Sequence, residues 1–155
     1  MKEAFEKLDD SARMHETARS LLRSYDYRAA VEQSQHSMEL AIKAVYLAIE
    51  GRHPLEHDAH EKELQRLIRK LEFKTGYAET LRGDFARAGW ITTMWRSSHN
   101  VSIYGFAGPQ ASAIFREKDA KMALDYSWEV YLTCRSVLDA IKRGEIVARE
   151  GGGEH

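Results

Sequence analysis

Apolar residues recur every three or four positions along most of this chain, which is the spacing that places side chains on one face of an α-helix. Near the amino terminus the pattern has two parts, at Phe5, Leu8, Ala12, Ala18 and Leu22, and then at Ala30, Met38, Ala41, Val45 and Ile49. Ser24 and Tyr25 separate these parts, and Asp26 can cap the second helix. Such a short connection predicts two antiparallel neighbours.

Two further periodic segments occupy the middle of the chain. Gly51 is expected to end the second helix in the left-handed conformation. After a loop that contains Pro54, a shorter helix carries the apolar residues Leu64, Leu67, Ile68 and Leu71. Gly76 marks a break, and the next helical face consists of Leu81, Phe85, Ala88, Thr92 and Trp95. Gly105 and Pro109 prevent this helix from continuing towards the carboxyl terminus.

The final helix is the longest and is expected to extend from about Glu117 to Arg143. Asp119 in its first turn and Lys142 in its last complement the helix dipole. Because no alternating strand pattern appears, the sequence predicts an all-α, up-and-down four-helix-type bundle with an additional short helix. Residues 1–144 form this domain, and the small and polar residues 145–155 form a flexible tail.

Composition excludes several classes of protein. The net charge of −1 over 155 residues specifies no oppositely charged partner. Cys134 is the single cysteine, which excludes an intramolecular disulfide and predicts a small core residue. The amino terminus, MKEAFEKLDD, has no apolar stretch typical of a secretory signal, and no apolar run reaches the ~20 residues of a membrane span. We expect a cytoplasmic protein.

Charge is uneven in one window, between Phe85 and Arg116. This window contains no aspartate or glutamate, and its basic residues are Arg87, Arg96, Arg116 and His99. Its aromatic residues are Phe85, Trp90, Trp95, Tyr104, Phe106 and Phe115. Arginine binds phosphate oxygens and aromatic rings stack on bases, so this composition fits a nucleotide or single-stranded RNA surface. The alternative is that the aromatic rings are core residues and the arginines are solvated.

Three segments together resemble the HEPN domain family. Residues 25–48, YDYRAAVEQSQHSMELAIKAVYLA, resemble its second-helix signature. Gly51, Pro54, His57 and Asp58 resemble the loop and the histidine-aspartate step that follow. Residues 115–120, FREKDA, resemble the start of the last helix, and the similarity covers about residues 4–143.

This resemblance implies a helical bundle that is frequently a homodimer and often works beside a minimal nucleotidyltransferase in toxin-antitoxin-type pairs. Many members are metal-independent ribonucleases, whose motif is an arginine, a polar residue and a histidine after four to six intervening residues. The stretch WRSSHNVSIYG, residues 95–105, occupies that place. It departs from the motif, because His99 follows Arg96 after two intervening residues and Tyr104 follows after seven.

We therefore expect Arg96 to bind the phosphate of a nucleotide or an RNA, with His99, Asn100 and Tyr104 beside it. The leading hypothesis is a phosphate-binding partner of a minimal nucleotidyltransferase. One alternative is a metal-independent ribonuclease, in which Arg96 stabilises the scissile phosphate and His99 moves the proton of the 2′-hydroxyl. This alternative expects an irregular turn at Ser97. A further alternative is a non-catalytic dimeric scaffold.

Three residues are expected to support this site. Glu39 lies close to the apolar face of the second helix, so we expect it to pair with a cation, preferably Arg96. By resemblance, His57 and Asp58 face the groove near Arg96. The histidines at 53, 57 and 60 are close in sequence, but Pro54 breaks their helical register. We predict no metal site and no cofactor.

Overall fold

The fold is a bundle of α-helices with one very short sheet. The computed structural model describes residues 1–52, 61–100 and 114–149, and at 61–62 and 97–100 it describes the helical backbone alone. Within these ranges the helices are α1 (Lys2–Arg23), α2 (Tyr27–Glu50), α3 (Glu61–Arg69), α4 (Gly76–Asn100) and α5 (Glu117–Lys142). The strands are β1 (Leu71–Phe73) and β2 (Ile146–Ala148). The predicted all-α class and the helical bundle are confirmed.

Helices α1 and α2 form the predicted antiparallel hairpin. Tyr25 takes the left-handed conformation, with φ of 64°, and reverses the chain between them. The Asp26 side chain accepts a hydrogen bond from the backbone N–H of Ala29 at 3.2 Å, which confirms the predicted cap. Gly51 ends α2 with φ of 69°, also as predicted.

Small polar residues hold α1 against α2. The Ser11 hydroxyl donates to the Ser37 carbonyl oxygen at 2.7 Å, and the Ser37 hydroxyl donates to the Ser11 carbonyl oxygen at 2.8 Å. Both residues are fully buried. Because neither side chain extends far from its helix, the two backbones approach closely and each buried hydroxyl is satisfied by the opposite helix.

Helix α5 closes the bundle by packing against α1, α2 and α4. Its buried face includes Ala120, Leu124, Val130, Tyr131, Cys134, Val137 and Leu138. The Asp119 carboxylate accepts the backbone N–H of Arg116 at 2.9 Å, so this helix begins with a satisfied donor. Burial raises the pKa of the Cys134 thiol, which is a core residue as predicted.

The sheet corrects the sequence-based expectation at two places. Leu71, predicted on the short helix, lies in β1, which pairs antiparallel with β2. Ile146, predicted in a flexible tail, is fully buried in β2. The pairing satisfies backbone groups of both strands, and Arg149 N–H also donates to the Lys70 carbonyl oxygen at 2.7 Å. The folded domain therefore continues at least to residue 149.

Two helix boundaries also differ from the expectation. Gly76, predicted as a break, is the first residue of α4, and the Thr75 hydroxyl oxygen caps this helix by accepting the N–H of Ala78 at 3.0 Å. At its other end α4 continues through Ser97 to Asn100. Within the three described ranges, no helix is long and apolar enough to cross a bilayer.

The contact between α3 and α4 depends on a glycine. A methyl group at Gly89 would overlap the side chain of Leu64, which is buried on α3. We expect Gly89→Ala to lower the free energy of unfolding by about 1–3 kcal/mol, because Leu64 must leave its packed position. At Gly83 on the same helix no atom lies within 4 Å of the added methyl group. Gly83→Ala should therefore raise stability by up to about 1 kcal/mol.

Urea unfolding of both variants, followed by far-ultraviolet circular dichroism, measures these effects. Equal changes in the two variants would contradict the close contact between α3 and α4.

Candidate functional site

Arg96 lies near the carboxyl-terminal end of α4 and is half-buried. The residue before it, Trp95, is buried, and its ring centroid lies 6.3 Å from that of Tyr126 on α5. Trp95 Nε1 has no hydrogen-bond partner within the described residues. The ring contact fixes the helical turn from which Arg96 projects.

The backbone at positions 96–99 differs from the expectation. Because α4 continues to Asn100, the turn at Ser97 is helical and not irregular. Positions three apart are neighbours on a helix surface, so helical geometry itself places Arg96 beside position 99. Three other predicted site residues, Tyr104, His57 and Asp58, lie outside the described ranges, as does the histidine group around them.

Glu39 is buried on α2, with 5% of its surface exposed. Gln35 Nε2 donates a hydrogen bond to Glu39 Oε1 at 2.7 Å. This bond satisfies part of the hydrogen-bonding capacity of a carboxylate that is costly to bury. Helix α2 contacts α4. The ion pair between Glu39 and Arg96 stays a prediction.

The window from Phe85 to Arg116, which contains no acidic residue, carries less net positive charge in the folded structure than its sequence indicates. Arg87 Nε donates to Glu129 Oε1 on α5 at 2.6 Å, so an acid from outside the window neutralises this arginine. Phe85, Trp95 and Phe115 are buried, whereas Trp90 is exposed. The alternative interpretation, that the aromatic rings are core residues, is therefore correct for these three buried rings. Arg87 contributes little positive potential, because Glu129 neutralises it.

A second concave surface lies between α1 and α5, which pack against each other. This α1–α5 groove has a volume of about 560 Å³ and is lined by His15, Glu16, Arg19, Leu22, Lys121, Leu124, Asp125 and Trp128. The lining combines two leucines, two rings and four charged side chains.

His15 is the buried polar residue of this groove. His15 Nδ1 lies 2.6 Å from Ser127 Oγ, and the Ser127 hydroxyl donates to the Leu124 carbonyl oxygen at 2.9 Å. The His15 ring centroid is 5.0 Å from that of Trp128, which stacks on Tyr131 at 4.9 Å. These contacts hold the imidazole in one orientation at the edge of the groove.

Sequence reasoning missed the α1–α5 groove. His15 falls on the buried face of α1, in register with Leu8, Ser11 and Ala18. The periodicity of α1 places His15 at a core position, and a buried polar side chain needs a hydrogen-bond partner. The sequence therefore indicated that His15 has a buried partner. Finding that partner in Ser127 required knowledge of which helices pack together.

Burial lowers the pKa of His15, and the positive charge of Arg19 acts in the same direction, against Glu16 and Asp125. The unfolded chain binds a proton at this residue near pH 6.5, whereas the folded chain resists protonation. The free energy of unfolding should therefore fall as the pH drops below about 6.5, and this loss should level off below the pKa of the folded state.

His15→Asn keeps a donor near Ser127 and removes the titration. Urea unfolding of both proteins between pH 7.5 and pH 4.5 should show a larger loss of stability in the wild type. Parallel pH profiles would contradict a buried neutral imidazole.

The described residues contain no cluster of three or more histidine, cysteine, aspartate or glutamate side chains that could hold a metal ion.

Comparison with known proteins identifies the fold independently of these sites. The sequence matches the model of the HEPN domain family over residues 6–137. The structure is similar to the crystal structure of TT1696 from Thermus thermophilus, with a TM-score of 0.61 and 20% sequence identity. That similarity covers 88% of this chain and 99% of the other, and at this identity it shows the fold alone. No curated protein matches the sequence.

Proposed function

Because the chain belongs to the HEPN domain family, we propose that it binds a nucleotide or an RNA phosphate at the carboxyl-terminal end of α4. Arg96 is the anion-binding side chain in this proposal. His99 and Asn100, on the last turn of the helix, add hydrogen bonds, and Tyr104 packs or stacks beside the ligand.

The observation that carries the proposal is the half-buried position of Arg96 directly after the buried Trp95. A guanidinium on a fixed helical turn loses little conformational freedom when it binds phosphate. The carboxyl end of a helix also stabilises cations, which favours Arg96 at this place.

In the proposed function, the chain is the partner of a minimal nucleotidyltransferase in a toxin-antitoxin-type pair. Two copies form a homodimer, in which the Arg96 side chains of both line one cleft. Family membership supports this part of the proposal. Tyr104 would then lie near the bound phosphate as the residue that could receive a nucleotide from the partner enzyme.

Arg96→Ala should weaken the binding of short single-stranded RNA by about tenfold, since a charge-assisted contact with phosphate is lost. The slope of log affinity against log salt concentration should become shallower by about 0.7, as expected for one lost phosphate contact. Fluorescence anisotropy with labelled RNA, and with labelled nucleotides, measures both quantities.

Arg87→Ala is the matched control, because it removes an arginine from the same helix whose exposed ion pair contributes little to stability. The control should bind as the wild type does. Equal binding by wild type and Arg96→Ala, with unchanged salt dependence, would exclude Arg96 as the phosphate ligand.

A second candidate function is cleavage of RNA without metal, favoured by the continuation of α4 through position 99. On a helical backbone, position 99 follows position 96 after about one turn. Arginine would stabilise the charge on the phosphate, and histidine would accept the proton of the 2′-hydroxyl as its oxygen attacks phosphorus. The 5′-oxygen leaves with a proton taken from water, histidine returns its proton to the solvent, and a 2′,3′-cyclic phosphate remains.

This candidate predicts that the wild type cleaves labelled RNA in the presence of EDTA and that His99→Ala abolishes the cleavage. Arg87→Ala, which changes an arginine of the same helix that is paired with Glu129, should retain activity. Circular dichroism checks that both variants are folded. Cleavage that survives in His99→Ala, or an inactive wild type, would exclude the reaction.

A further inference from the structure

We propose that the α1–α5 groove binds an organic cation, an ammonium or amidinium group carried on an aromatic or aliphatic body. The groove is formed entirely by α1 and α5 and includes no residue of the Arg96 site. The proposal is therefore independent of nucleotide or RNA binding.

The tautomer of His15 is set by Ser127. Its hydroxyl has one proton, which is donated to the Leu124 carbonyl oxygen. With this proton on the Leu124 carbonyl oxygen, Ser127 Oγ accepts from His15 Nδ1–H, and the lone pair of the neutral imidazole lies on Nε2. His15 is 7% exposed, lines the groove, and makes no other hydrogen bond with a described residue. It is a buried acceptor that suits a donor on a ligand.

Both cationic side chains that line the groove form ion pairs. Arg19 pairs with Glu16 at 3.3 Å, and Lys121 pairs with Glu117 at 2.9 Å. Asp125 lines the groove and has no ion pair with any described residue. The charge that remains to attract a ligand is therefore the negative charge of Asp125. The two groups that remain to bind a ligand, the Asp125 carboxylate and His15 Nε2, are both hydrogen-bond acceptors. This arrangement favours a cation over a phosphate.

The groove also has an apolar surface. Leu22 and Leu124 provide hydrocarbon, and Trp128 leaves 43% of its surface exposed. Contacts with His15 and Tyr131 already hold the indole, so little ordering is required when a ligand binds. An indole of this kind attracts cations as well as apolar groups. A body with a ring or a hydrocarbon chain can therefore contact this surface while its cation reaches Asp125.

Two ligands with the same indole body and opposite charge test the proposal, tryptamine and indole-3-propionate. Isothermal titration calorimetry at pH 7.5 should detect tryptamine and should show at least about tenfold weaker binding of the carboxylate. Adenosine monophosphate tests the alternative that the groove accepts a nucleotide. Indole-3-propionate or the nucleotide binding as tightly as tryptamine would overturn the proposal, as would no detectable tryptamine binding.

Matched variants locate the binding. Asp125→Asn should weaken tryptamine binding about tenfold, and Trp128→Leu should weaken it by a similar factor. Asp84→Asn and Trp90→Leu make the same changes at exposed positions of α4 and should leave the affinity unchanged. Urea unfolding checks that the variants are folded. If either control lowers the affinity as much as its counterpart in the groove, binding elsewhere is shown and the proposal is wrong.

Discussion

The close contact between α1 and α2 is the constraint on which the other packing depends. The Ser11 hydroxyl donates to the Ser37 carbonyl oxygen, and the Ser37 hydroxyl donates to the Ser11 carbonyl oxygen, so both buried hydroxyl groups are satisfied. These two reciprocal hydrogen bonds fix the position of α1 along α2. Since α2 also contacts α4 and α5, the same register determines which turn of α1 faces α5. It is the turn that carries His15.

Helix α5 connects the two concave regions of the molecule. Tyr126 contacts Trp95 beside Arg96, whereas Leu124 and Trp128 line the α1–α5 groove. Residues two positions apart on a helix lie on nearly opposite sides, so one short segment of α5 supports both regions without sharing a residue. The two regions also differ in chemistry. Arg96 lies beside Trp95 at the end of α4, whereas His15 and Asp125 line the groove between α1 and α5.

The helices could be predicted from the sequence because each apolar face spans several turns, as the agreement at Asp26, Gly51 and α5 illustrates. The sheet could not, since a three-residue strand contains too little alternation to differ from a loop. The end of α4 was also missed, because polar residues such as Ser97 and Asn100 give no apolar periodicity. The residue types of the candidate site could be identified from the sequence. The ion pair of Arg87 with Glu129 could not be predicted, because it depends on the packing of α4 against α5.

The short ribbon of β1 and β2 joins segments that are far apart in the chain, with Leu71 opposite Ala148 and Phe73 opposite Ile146. Three residues per strand cannot repay the entropy of closing so long a loop by themselves. The ribbon therefore depends on α4, which contacts β1, and on α5, which contacts β2, to hold its strands together. Protection of its amide protons from hydrogen exchange is thus a reporter of the packing of α4 against α5.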